Sequence, residues 1–200
     1  MATLTLSDGS SKALNRENFT VVDGSKRIVS NRGGLVYTGK DTSSIEEEVY
    51  NTIRVPRGAE FNVTLDDGTK VWLNSETVLM YPDRFAEDKR EVRLCGEAFF
   101  KVKTNPTRPF EVHTNGSLQI WVTGTELNVR DYADEQFLKV TLLKGVVHVG
   151  NDSVYRILSP REQAVFDRGT GDMKVVELED PSTCVAWREG MFAFEGEPIE

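Results

Sequence analysis

Residues 61–74 read FNVTLDDGTKVWLN, and this stretch decides the fold class. Apolar and polar residues alternate on both sides of Asp67-Gly68, so one face of each run is apolar and the other is polar. An Asp-Gly pair tolerates the positive φ angles of a tight two-residue turn between paired strands. The stretch therefore predicts a half-buried β-hairpin. The apolar positions are Phe61, Val63, Leu65, Val71 and Leu73.

Similar strand-and-turn patterns extend outward from this hairpin. Residues 4–10 resemble residues 63–69, which indicates the same hairpin chemistry used twice. Gly96 is expected to bend a strand that runs from Glu91 to Val102. Residues 137–143 and 146–149 alternate around Lys144-Gly145 and predict a further hairpin. Other turn pairs are Asp8-Gly9, Asp23-Gly24 and Asn115-Gly116.

More than a dozen short strands follow one another, and amphipathic helices are nearly absent. This pattern predicts an all-β fold in which many short antiparallel strands form a sandwich or an irregular solenoid-like stack. The exception is a short helix near the C-terminus, over Pro181 to Glu189. Asp180 suits its N-cap, proline suits its first position and Gly190 suits its end.

The change of pattern at Asp180 predicts three segments. Residues 1–44 form an N-terminal β-rich segment, residues 45–180 the main all-β domain, and residues 181–200 a helix and the first strand of a further α/β domain. A strand over 191–194 would need a partner. We therefore expect that this further domain is cut short, and that the strand pattern at Met1 follows a removed segment.

The composition excludes some classes of partner. The 200-residue chain has a formal net charge of -8, which disfavours binding to nucleic acid or to anionic lipid. No stretch approaches the roughly 18 apolar residues of a membrane helix. The two cysteines, Cys95 and Cys184, fit either buried thiols or a disulfide in an oxidising compartment.

Residues suited to catalysis or to cofactor binding are scarce. The two histidines, His113 and His148, lie in alternating strands, where structural roles are expected. Histidine or cysteine ligands at zinc spacing are absent, as are phosphate loops, so we predict no metal and no cofactor. Glu97 could form a glycosidase pair with Glu76 or Asp83, but chance pairs are expected among 32 acidic residues.

Tryptophans leave a second alternative open. Trp72 and Trp121 could stack against sugar rings, as in a secreted carbohydrate-binding β-sandwich, although packing in the core is the simpler role. No catalytic, cofactor-binding or metal-binding residue is assigned from the sequence.

Several blocks of this sequence resemble the FecR-type anti-sigma regulators, in the style of gut Bacteroidetes. The match covers most of the chain in the order found in that family, although Cys95 departs from the small polar or apolar residue expected there. The blocks are VPRG at 55–58, LDDGTKVWLN at 65–74, GEAFFKV at 96–102, PFEV at 109–112, VTGTELNV at 122–129, LKGVV at 143–147, LSPREQA at 158–164 and WREGMFAF at 187–194.

The resemblance implies a non-enzymatic role in cell-surface signalling. Members are single-pass inner-membrane proteins whose cytoplasmic segment holds an extracytoplasmic-function sigma factor. Their periplasmic part receives a signal from an outer-membrane TonB-dependent receptor loaded with its nutrient. The C-terminal secretin/TonB short N-terminal-like domain usually faces that receptor. This chain would then be the periplasmic β-module of such a protein.

Overall fold

The computed structural model describes residues 1–14, 19–23, 26–31, 34–38, 50–115 and 118–189. These ranges hold eighteen β-strands and one helix, so the predicted all-β class is confirmed. Among the described residues, no helix has the length and apolar character needed to span a bilayer. The strand predicted over 191–194 lies outside the described residues.

The strands are numbered in chain order. The first nine are β1 (Ala2–Thr5), β2 (Ser11–Leu14), β3 (Phe19–Asp23), β4 (Lys26–Asn31), β5 (Gly34–Thr38), β6 (Tyr50–Arg54), β7 (Phe61–Thr64), β8 (Lys70–Leu73) and β9 (Val78–Pro82). The others are β10 (Arg90–Lys101), β11 (Phe110–Thr114), β12 (Gln119–Val122), β13 (Glu126–Asp131), β14 (Phe137–Lys144), β15 (Val147–Gly150), β16 (Tyr155–Leu158), β17 (Glu162–Asp167) and β18 (Met173–Glu177).

The strands pair in two linear arrays that share β10. Sheet A has the order β2-β1-β6-β9-β10-β11-β12-β15-β16. Sheet B has the order β3-β4-β5-β7-β8-β10-β13-β14-β17-β18. Pairing is antiparallel throughout the described strands, apart from β10 with β11 and β5 with β7. Apolar side chains of both sheets form one continuous core.

The long strand β10 bends at Gly96, as the sequence predicts, and it changes sheet there, which the sequence does not predict. Residues 93–95 pair with β9 in sheet A, and residues 98–101 pair with β8 in sheet B. Gly96 has a φ of 107°, and a Cβ atom there would lie 2.6 Å from Thr77 Oγ1 and 2.7 Å from its Cα. Because only glycine accepts that φ and that close approach, this residue allows one strand to serve both sheets.

The hairpin at Asp67-Gly68 is confirmed, but its loop is longer than predicted. The Leu65 N–H donates to Thr69 O over 2.8 Å, and the Gly68 N–H donates to Leu65 O over 2.9 Å. Three residues therefore form the loop, and Gly68, at a φ of 86°, is the one with positive φ. A type I turn followed by a left-handed glycine has this form. The same two bonds recur at Leu6, Gly9 and Ser10, which confirms the repeated hairpin chemistry.

The prediction of a hairpin around Lys144-Gly145 is wrong. β14 pairs with β13 and β17 in sheet B, whereas β15 pairs with β12 and β16 in sheet A. The chain crosses from one sheet to the other at this point, and the Thr125 hydroxyl donates to Val146 O over 3.0 Å beside the crossing. Alternation predicted both strands correctly, because it reports which face is buried and not which strand is the neighbour.

The predicted C-terminal helix is confirmed as a 3₁₀ helix over Pro181–Glu189. The Ser182 N–H donates to Asp180 Oδ1 over 2.9 Å, which is the expected N-cap bond. Gly190 lies outside the described residues. The helix lies against the outer face of sheet B, near β14. The proposed segment boundaries near residues 44 and 180 stay predictions.

Candidate functional site

Glu97 lies at the centre of a polar network on sheet B. Its side chain is buried, and Oε1 accepts a hydrogen bond from Asn128 Nδ2 over 2.9 Å. Oε2 accepts from Asn74 Nδ2 over 2.9 Å and from Arg130 Nη1 over 3.1 Å. Two amides and one guanidinium group thus occupy both carboxylate oxygens. This arrangement does not suit the general acid of a glycosidase pair, because a catalytic oxygen must face the substrate.

The network continues through Arg130 to the surface. The Arg130 guanidinium donates to both carboxylate oxygens of Glu135 and lies over the Tyr132 ring, 5.1 Å from its centroid. The Tyr132 hydroxyl donates to Ser75 O over 2.7 Å. Burial, followed by the charge of Glu97, raises the pKa of Tyr132 to about 12. These contacts link β10, β13 and the turn that follows β8.

The other two carboxylates considered for a glycosidase pair, Glu76 and Asp83, lie on either side of β9. Glu76 is exposed in the turn before β9 and has a positive φ of 57°. Asp83 is half-buried directly after β9. Neither carboxylate belongs to the hydrogen-bond set of Glu97.

Trp72 lies under the C-terminal helix. The Arg188 guanidinium lies 4.0 Å from the Phe99 ring centroid and 5.3 Å from that of Trp72. The Trp72 and Phe99 centroids are 5.5 Å apart. Because a cation already stacks on these rings, they do not present a free platform to a sugar.

The same helix covers polar residues farther along sheet B. Gln163 Nε2 donates to the Thr141 hydroxyl over 2.7 Å and lies 3.6 Å from Cys184 Sγ. Thr141 and Gln163 are buried, and Val185 of the helix is 6% exposed. The helix therefore covers this part of the outer face of sheet B, which the alternating sequence alone had placed in solvent.

Both cysteines are free thiols, so the disulfide alternative is wrong for the described structure. Cys95 lies on β10 and Cys184 on the 3₁₀ helix, and each is half-buried. Burial raises the pKa of the Cys95 thiol, and the charge of Asp131 adds to this effect. Since the thiolate is the nucleophilic form, this shift disfavours reaction at Cys95.

Trp121 and the two histidines lie on the outer face of sheet A. Trp121 is half-buried, and its register partners are Glu111 on β11 and His148 on β15. His148 Nδ1 and the Tyr155 hydroxyl share a short hydrogen bond. His113 lies between Glu91 and Glu111. The sequence predicts structural roles for both histidines, but it does not predict which carboxylates surround His113.

The two sheets end in open strand edges at β16 and β18. These strands contact each other, and Arg156 Nη2 donates to Met173 O over 3.4 Å. Strand edges that carry apolar side chains favour pairing with another chain. We call this surface the rim, and it is formed by exposed Tyr155, Ile157, Val175 and Val176. Sequence alternation did not reveal the rim, because edge and central strands share the same pattern.

Residues 51–148 match the family model of the FecR protein. Two crystal structures of a protein from Parabacteroides distasonis ATCC 8503, described as an anti-sigma factor, resemble this chain with 34% sequence identity each. One, at 1.65 Å resolution, gives a TM-score of 0.67, and the other, at 2.50 Å, gives 0.68. Each alignment covers 70% of this chain and 65% of the other. No curated protein matches this chain significantly.

The matched region begins in β6 and ends in β15, so it includes β10 and the Glu97 network. The FecR-type blocks from VPRG at 55–58 to LKGVV at 143–147 all lie within this matched region. Residues 51–148 therefore form a FecR domain, and the chain resembles the two solved structures described as an anti-sigma factor.

Proposed function

We propose that the full-length protein is a transmembrane anti-sigma regulator and that this chain is its periplasmic signalling module. It relays nutrient occupancy of an outer-membrane TonB-dependent receptor to an extracytoplasmic-function sigma factor. The sigma factor binds a cytoplasmic segment outside this chain. The observation that carries the proposal is the FecR match over 51–148, together with the likeness to the anti-sigma factor structures.

The packing of the described residues supports a binding role rather than catalysis. The most buried carboxylates, Asp67, Glu97 and Asp131, each have a cationic side chain as partner. A relay needs a body that keeps its shape when one end is contacted. β10 supplies this, because one twelve-residue strand belongs to both sheets.

The rim supplies a surface on which the receptor could be contacted. β16 and β18 end their sheets, and an extended segment of a receptor's signalling domain can add to such an edge through main-chain hydrogen bonds. The C-terminal helix begins shortly after β18 and reaches Arg188, which stacks on Phe99 of β10 and Trp72 of β8. We propose that residues 181–200 form the helix and the first strand of the receptor-facing α/β domain.

The test uses the full-length protein in its native membranes. A photo-crosslinking residue replaces Ile157 in the rim, and the matched control replaces exposed Ser11 on β2, at the opposite edge of sheet A. We expect affinity purification to recover a sigma factor from both variants. We expect a receptor crosslink from the Ile157 position alone when the inducing nutrient is present.

The outcomes separate the parts of the proposal. Recovery of neither a sigma factor nor a TonB-dependent receptor would refute the signalling role. Recovery of both partners, with equal receptor crosslinks from positions 157 and 11, would refute the rim as the contact surface.

A further inference from the structure

Three potential metal ligands meet on the outer face of sheet A. β10 and β11 run parallel, with Glu91 opposite Glu111 and Arg93 opposite His113. Val112 is buried, so Glu111 and His113 both point away from the core on the same face of β11. Glu91 is likewise on the outer face of β10, between buried Arg90 and Val92. The sheet therefore brings together two carboxylates and an imidazole from two strands.

The imidazole nitrogen of His113 is directed between the two carboxylates. Nε2 lies 3.7 Å from Glu91 Oε1 and 3.7 Å from Glu111 Oε2. One ligand atom from each residue lies within 4.8 Å of the other two. Nε2 is buried and makes no hydrogen bond within the described part of the chain. An atom in that position normally has a polar partner, and here both nearby candidates are carboxylate oxygens.

The spacing fits a metal ion better than a proton. The nitrogen-to-oxygen distances exceed those of a hydrogen bond, so a proton on Nε2 would bind neither carboxylate well. Ligand bonds of about 2.0–2.2 Å at tetrahedral angles place neighbouring ligand atoms about 3.3–3.6 Å apart. A small contraction of this cluster would satisfy that geometry. Without a metal ion, two carboxylates would face the unpaired nitrogen, and Lys89, paired with Glu91, would be the neighbouring cation.

We propose that Glu91, Glu111 and His113 bind a divalent transition-metal ion such as Zn²⁺. One imidazole and two carboxylates match the ligand preferences of such ions. Three protein ligands leave a coordination position for water or for a side chain of a bound partner. The ion would lock β10 to β11 at their parallel junction. This inference is independent of the proposed signalling function.

The cationic side chains of Lys89 and Arg93 lie near the proposed metal site, but they leave its three ligand atoms available. Lys89 Nζ lies 2.9 Å from Glu91 Oε2, so Oε1 is the oxygen that faces His113. Arg93 lies beside His113 in the register and is exposed to solvent. The sequence predicts no metal site, because histidine and cysteine ligands at zinc spacing are absent from it. Glu91 lies twenty residues before Glu111, and only the parallel pairing brings them together.

The proposal is tested by calorimetric titration of Zn²⁺ into the untagged chain after treatment with a chelator. The variants are His113→Gln and Glu111→Gln. His148→Gln is the matched control, because it alters the other histidine, on the same face of sheet A. We expect one saturable site in the wild type and in H148Q. We expect a Kd at least about tenfold higher in H113Q and in E111Q.

Circular dichroism establishes that each variant is folded, which is expected because His113 and Glu111 are 29% and 22% exposed. Co²⁺ supplies a second readout, since its absorption spectrum reports a nitrogen ligand that should be lost in H113Q. Absence of saturable binding at neutral pH would overturn the proposal and favour an imidazolium held by two carboxylates. Binding that H113Q leaves unchanged would also overturn it, because it would show adventitious binding to surface carboxylates only.

Discussion

Arg90 and Asp67 form an ion pair inside the sandwich, with 2.6 Å between Nη1 and Oδ2. The two side chains are 1% and 6% exposed. Arg90 also donates to Lys103 O and Arg108 O, and Asp67 accepts from the N–H and the hydroxyl of Thr69. The hairpin loop that the sequence identifies is thereby tied to the start of β10 and to the loop after its end.

Replacing Arg90 with Met should strongly destabilise the protein. The change leaves Asp67 buried without its cation, and breaking one partner of a buried pair costs about 3–5 kcal/mol. Lys101→Met is the control, because the Lys101–Glu126 pair lies at the surface with side chains 58% and 30% exposed. Its cost should be below about 1 kcal/mol. Urea unfolding measures both, and equal losses would refute a stabilising role for the buried pair.

Replacing Gly96 with Ala should destabilise the protein more than replacing Gly9 with Ala. Both glycines have positive φ, so both substitutions carry the roughly 1–2 kcal/mol cost of a left-handed residue. Only at Gly96 does the added methyl group meet the Thr77 backbone, whereas the space around Gly9 is open. Thermal unfolding should therefore show a clearly larger loss for G96A. Similar losses would mean that the sheet crossing tolerates a side chain.

Tyr132 should ionise later than an ordinary tyrosine. Burial and the charge of Glu97 raise its pKa to about 12 from 10.0. The folded state therefore holds this proton more tightly than the unfolded state does. The stabilisation that protonated Tyr132 gives to the folded state is complete below pH 10.0 and is lost as the pH rises through about 12. The difference in tyrosinate absorbance between wild type and Tyr132→Phe measures this, and a difference that titrates at 10.0 would contradict it.

Replacing Arg188 with Ala should loosen the C-terminal helix from sheet B. The substitution removes a guanidinium group stacked on Phe99 and Trp72, and a partly buried contact of this kind contributes about 0.5–2 kcal/mol. Near-ultraviolet circular dichroism should lose signal from these rings. Lys174→Ala, at an exposed position of β18, is the control and should leave the spectrum unchanged. An unchanged spectrum in R188A would show that the helix is held by other contacts.

Acid should weaken the N-terminus of the same helix. Hydrogen bonds from Ser182 lower the pKa of Asp180 below 3.8, so the folded state favours the carboxylate. The resulting stabilisation is present above pH 3.8 and is lost as the pH falls through the lowered pKa. The hydrogen-exchange protection factor of the Ser182 amide, which corrects for the intrinsic exchange rate at each pH, should fall over that range. Asp180→Asn retains an acceptor oxygen but has no carboxyl group to titrate, so the pH dependence of the Ser182 amide should disappear. If that dependence persists in D180N, Asp180 is not its source.

Strand positions, most hairpins and the helix cap were predictable, because each depends on residues close together in the sequence. Gly96 was recognised as the bend of β10 for this reason. The partners of β14 were not predictable in this way. This strand pairs with β13 and β17, and not with β15, which follows it directly in the chain. The role of Trp72 was missed because Arg188, which stacks on it, is more than one hundred residues away.

Local alternation and turn chemistry determined the all-β class and the repeated Asp-Gly hairpins, and the quoted sequence blocks carried the resemblance to the FecR family. These features follow from neighbouring side chains and backbone angles, which the order of residues specifies directly. Tertiary structure decided that β10 serves two sheets, that the helix covers sheet B, and that Glu91, Glu111 and His113 meet. The reason is physical: burial patterns specify which face points inward, but cross-strand neighbours depend on how distant segments pack together.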